Sequence, residues 1–155
     1  MTYRIEGLDP DRFQGLIGRS AEDLADHGAM RVIAASSTGY PCRVTLEEAQ
    51  AGETLILLNY ASHDVPTPFR TTYAIFVRER HGEPARYEDR VPPIMERRTL
   101  GLRGFDAAGM LCNAVLAMPG EADTRIREML EDPRIATIHA HNAAHGCFLA
   151  AVERN

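Results

Sequence analysis

The apolar residues of this chain come in short runs closed by turn-forming residues, and that spacing favours strands over long helices. Leu55-Ile-Leu-Leu58 is a brief continuous apolar run, the mark of a strand covered on both sides. Tyr73-Ala-Ile-Phe-Val77 is a second, and Pro66 and Pro68 make the stretch between them a loop. The same reading gives strands at residues 3–8 and 30–34. It gives an extended stretch at 40–45, a hairpin of 99–105 with 110–118 around Asp106-Ala-Ala-Gly109, and a terminal hairpin of 135–142 with 147–154.

Helical signals are fewer. Asp9-Pro10 reads as an N-cap with proline at the first helical position, followed by Phe13, Leu16 and Ile17 on one face. Ser20 to Asp23 and Thr45 to Glu48 both resemble capping boxes, closed downstream by Gly28 and Gly52. Residues 121–130 form the clearest helix, with Ala122, Ile126, Met129 and Leu130 as its buried stripe and Pro133 preventing continuation. Residues 80–93, charged and proline-bearing, read as a surface loop. Strands follow strands through short turns, so the expected fold is α+β: a largely antiparallel sheet of seven or eight strands with three or four short helices. No linker or repeat interrupts residues 1–155, so a single domain is expected.

Composition narrows the chemistry. All 17 basic residues are arginine and none is lysine, which excludes a lysine Schiff base, a P-loop lysine and a lysine general base. A formal charge of -5 argues against nonspecific binding to nucleic acid. No long uncharged apolar run suggests a membrane span. The first residues lack the pattern of a signal peptide, so a cytoplasmic location is the expectation. Three widely spaced cysteines read as reduced thiols in such a setting.

The densest concentration of reactive side chains is His139-Ala-His141-Asn142-Ala-Ala-His145-Gly-Cys147. On a strand, His139 and His141 point to one face together with Thr137, while Ile138, Ala140 and Asn142 take the other. Two turns fit the residues after Asn142. A three-residue loop with Gly146 in the left-handed position pairs Ala143 with Cys147 and puts the thiol on the histidine face. A two-residue loop sets Asn142 opposite Cys147 and turns the thiol away. The second candidate cluster is Gly39-Tyr-Pro-Cys-Arg43, where Cys42 could act as a nucleophile with a histidine base, although a small buried hydrophobe is the plainer role for it. Cys112, inside an apolar strand, reads as core. Arg43 and Arg103 could grip a carboxylate or phosphate through a bidentate fork. Arg97 and Arg98 read as a solvated face, and Glu47 and Glu48 as capping residues. No Cys-x-x-Cys or His-Glu-x-x-His occurs, so neither a metal nor a cofactor is expected.

Several ordered motifs match something known. Gly39-Tyr-Pro-Cys-Arg43, Leu57-Leu-Asn-Tyr60, Thr67-Pro-Phe-Arg70 before Ala74-Ile-Phe-Val-Arg78, Arg103-Gly-Phe-Asp106, and His139-Ala-His-Asn-Ala143 with Gly146-Cys147 resemble a family of short bacterial proteins catalogued as a domain of unknown function. The resemblance implies a single-domain cytosolic bacterial protein and supplies no activity. The expectation is a small binding or accessory protein. Its pocket would combine Cys42, Arg43, Arg103, His139, His141, Asn142 and Cys147 around a small, anionic ligand. The alternatives are a thiol–histidine enzyme and a homodimeric interaction module without chemistry.

Overall fold

Strand pairing dominates the computed structural model, which describes residues 2–155. Among these residues the strands are β1 (Tyr3–Glu6), β2 (Met30–Ile33), β3 (Thr54–His63), β4 (Thr71–Arg78), β5 (Arg86–Glu88), β6 (Leu100–Phe105), β7 (Leu111–Ala117), β8 (Thr137–Asn142) and β9 (Phe148–Arg154). They form a six-stranded sheet in the order β5-β1-β9-β8-β6-β7 and a three-stranded sheet in the order β2-β3-β4. Every named strand pair is antiparallel. Helices α1 (Ala21–Asp26), α2 (Pro93–Glu96) and α3 (Ala122–Leu130) are short. The fold is α+β, as the alternation of short apolar runs and turns implies. No helix among the described residues is long and apolar enough to cross a membrane.

Alternation decides which face each strand buries. In β8, Ile138 and Ala140 join Leu100 and Leu102 of β6 in the main core. That core is closed by Ile126, Met129 and Leu130 of α3 and by Ile94 and Met95 of α2. The opposite face of β8 carries His139 and His141, which lie against Phe148 of β9. β3 covers this second face, since Tyr60 touches Phe148 and His63 touches His139. A second core, around Phe13, Leu24, Ile56, Leu58, Ile75 and Val77, belongs to the small sheet.

Gly104 shows how closely α3 sits on the large sheet. A Cβ there would stand 2.7 Å from Ile135 Cδ1 and 3.1 Å from Met129 Cε. Both are ends of flexible side chains, so the neighbours can give way. Gly104→Ala is expected to lower stability by about 1 kcal/mol, read as a lower urea midpoint at unchanged slope.

Three local expectations need correction. Thr45 to Glu48 is not a helical turn. Leu46 takes φ 54°, and the segment folds back so that Cys42 N–H donates to Glu47 O and Ala49 N–H to Tyr40 O. The Glu48 carboxylate meets the Tyr40 N–H instead of capping a helix. Residues 80–93 are not only loop: β5 lies within them and pairs with β1. After Asp9, only a 3-10 turn forms at Pro10–Phe13, held by the Asp9 side chain accepting from Asp11 N–H. The Ser20 cap does form, with its Oγ accepting from Asp23 N–H at 3.1 Å.

Candidate functional site

Two separate groups of polar side chains are built by the meeting of the two sheets. The first is a run of rings between β8 and β3. His139 is 6% exposed and His141 1%. Their shared face follows from their i, i+2 spacing. Around His139 stand Phe105 at 5.1 Å, Phe148 at 5.4 Å and His63 at 5.1 Å between ring centroids. His63 stacks on Phe105 at 3.9 Å and donates its Nε2–H to Gly109 O at 3.0 Å. His141 donates its Nδ1–H to Gly146 O at 2.9 Å, because a carbonyl can only accept. Among the described residues, His139 Nδ1 is buried without a hydrogen-bond partner.

This surrounding keeps both imidazoles neutral. Burial pushes His139 down to about 3, and His63, His141 and Arg103 add to the effect. Burial also pushes His141 down to about 4; the bond to Gly146 opposes the shift, and Arg103 and His63 reinforce it. Arg103 is the cross-strand partner of His139 and is half-buried. Groups held neutral this firmly are poor proton donors near neutral pH. Among the described residues no three His, Cys, Asp or Glu side chains are placed to hold a metal ion.

The second group lines a cavity of about 220 Å³ bounded by Gly39, Pro41, Leu57, Tyr73, Ala74 and Phe76, with Arg43, Arg98, Asn142, His145 and Cys147 as its polar members. Arg43 anchors it. Residues 41–43 run beside β4, with Cys42 bridging Phe76 in parallel and Arg43 N–H donating to Phe76 O. Alternation then sends the two neighbouring side chains opposite ways. Cys42 enters the small-sheet core at 0% exposure, where its sulfur accepts from Arg78 N–H. Arg43 turns toward β9, where Nε donates to Phe148 O at 2.8 Å and Nη1 to Pro41 O at 2.6 Å.

Arg43 is 1% exposed, yet among the described residues its guanidinium pairs with two carbonyls and no carboxylate. Its pKa is pushed down to about 10, first by burial; the thiols of Cys147 and Cys42 favour the cation, and Arg98 opposes it. Arg98 donates to Ile94 O at 2.8 Å and pairs with Glu48. Among the described residues the lining of this cavity thus holds two guanidiniums and no carboxylate, and the Glu48 partner of Arg98 lines a neighbouring cavity.

Asn142 and Cys147 reach this cavity through the β8–β9 turn. Gly146 is left-handed at φ 81°, as the three-residue loop would require. Yet Asn142 N–H donates to Cys147 O and Gly146 N–H to Asn142 O, which sets Asn142 opposite Cys147. The turn is a four-residue combination of the two expected forms. Asn142 Oδ1 holds it by accepting from Ala144 N–H at 3.1 Å and His145 N–H at 3.4 Å.

The residues singled out from sequence therefore divide. Arg43, Asn142 and Cys147 line the cavity. Arg103, His139 and His141 belong to the ring cluster, and Cys42 lies in the core. Arg98, expected on a solvated face, is a cavity residue whose side chain is 17% exposed. Its signal was the acidic pair Glu47-Glu48, but 50 residues separate Arg98 from Glu48. His63 carried no local signal, because it becomes a neighbour of His139 only when the sheets stack.

No curated protein and no solved structure matches the chain. A family model does match, over residues 39–154, a span holding every residue of both groups. The chain belongs to that family, described as Protein of unknown function (DUF1203).

Proposed function

We propose that the protein binds a small organic carboxylate in the cavity beside Arg43. The observation that carries this reading is a buried guanidinium that faces a cavity and, among the described residues, has no carboxylate of its own. A buried cation without a counter-charge is costly. An incoming carboxylate would offset that cost and accept from guanidinium N–H groups left over by the two carbonyls. Arg98 adds charge, and Asn142 can orient an oxygen. Leu57, Tyr73, Ala74 and Phe76 suit an apolar or aromatic body, matching the pattern of an apolar pocket with few placed polar groups.

Benzoate is the simplest probe of this chemistry, with benzyl alcohol as its neutral counterpart. Calorimetric titration is expected to give a saturable heat for benzoate, weaker at high salt, and none for benzyl alcohol. At about one hundred times its dissociation constant, benzoate should stabilise the fold by about 2.7 kcal/mol. Equal behaviour of the two compounds would remove Arg43 from the explanation.

A further inference from the structure

We infer that Cys147 is the nucleophile of this cavity and forms a mixed disulfide with small, carboxylate-bearing thiols presented in their disulfide form. The inference rests on the carboxylate-binding reading and adds a covalent step to it. Three placements support it. Cys147 is a free, half-buried thiol on the cavity wall. It lies close enough to the Arg43 guanidinium for the two to interact electrostatically. The other thiols are placed differently, with Cys42 sealed in the core and Cys112 at the margin of the main core.

An anionic disulfide drawn to Arg43 and Arg98 would bring its sulfur–sulfur bond to a thiol that lines the same 220 Å³ space. Proximity of that kind turns an encounter between two molecules into a reaction within one complex. The Cys147 sulfur, having released its proton to water, attacks one sulfur of the ligand. A new S–S bond forms as the old one breaks. The departing thiolate carries away the electron pair, so the ligand's leaving half is reduced while Cys147 and the retained half end as the mixed disulfide. The buried guanidinium stabilises the negative charge that is spread over the sulfurs during the exchange.

The test uses the full chain carrying Cys112→Ser, so that Cys147 is the accessible thiol. Rates of modification are measured with dithiobis(nitrobenzoate), which is anionic, and dithiodipyridine, which is neutral. Each rate is divided by that of free cysteine with the same reagent. The anionic reagent is expected to be favoured about tenfold or more, with excess benzoate abolishing the preference and mass spectrometry placing the adduct on Cys147. Adding Cys147→Ser to that chain should abolish the adduct with both reagents. If benzoate binds but the two normalised rates are equal, the covalent step is wrong and the carboxylate site stands. If benzoate neither binds nor protects, both fail.

Discussion

Replacing Arg43 by methionine is expected to lower the stability of the fold by about 2–5 kcal/mol, although the change removes a buried charge. Two effects oppose each other. Burial already pushes Arg43 down to about 10, so discharging the site relieves part of a desolvation cost. Against this, methionine keeps the apolar stem but donates nothing. Phe148 O and Pro41 O then lose their side-chain donor, at about 1–3 kcal/mol for each acceptor left unsatisfied. The second effect wins because Arg43 joins two parts of the molecule: its backbone is bonded to β4 while its side chain is bonded to β9. Arg43→Lys should fall between native and Arg43→Met, since one ammonium cannot reproduce the spread of Nε and Nη1. Urea unfolding followed by circular dichroism measures all three. A methionine variant as stable as the native chain would show that the guanidinium does not tie the sheets together.

Acid should unfold the protein in a window set by His139 and His141, above that of the carboxylates. An unfolded imidazole titrates near 6.5, while the folded values are about 3 and about 4. Below pH 6.5 the unfolded chain therefore takes up two protons that the folded chain refuses, and stability falls as the pH falls. Each refused proton contributes a slope of up to about 1.4 kcal/mol per pH unit. Two together would remove about 3–5 kcal/mol between pH 6.5 and 4.5. Asp123, Glu53 and Glu79 have lowered values, so their contribution is present above their unfolded values and fades only at lower pH. His139→Leu isolates the effect. Its Nδ1 has no partner to lose, and leucine suits the company of Phe105 and Phe148. The variant should keep near-native stability at pH 8 and lose about half of the slope between pH 6.5 and 4.5. An unchanged slope would mean that His139 is hydrated and not sealed between the sheets.

The residues that could be read in sequence were those whose partners are near in the chain. β6 and β7 pair around the Asp106 turn, whose carboxylate accepts from Ala108 and Met110 N–H. The terminal hairpin and the α3 stripe were equally local. Glu48 misled because its capping signature is local, while its partners Tyr40 and Arg98 are supplied by the fold. The i, i+2 spacing of His139 and His141 showed a common face, but what covers it, β3 with His63, lies about 80 residues away. The extended stretch at 40–45 was legible, and alternation along it turns Cys42 and Arg43 opposite ways. Which one would meet Cys147 depended on where β4 and β9 come together.

If Arg43 receives a carboxylate, as proposed, its own guanidinium resonances will report the binding. In nitrogen-15-labelled protein, the Arg43 Nε–H, held by Phe148 O, should give a resolved signal that the Arg43→Met chain lacks. On titration with benzoate, that signal and the neighbouring Nη resonances should move in a saturable way, with the same midpoint as the calorimetric heat, while benzyl alcohol leaves them in place. An Arg43 signal unmoved at saturating benzoate would mean that the carboxylate does not sit on this guanidinium.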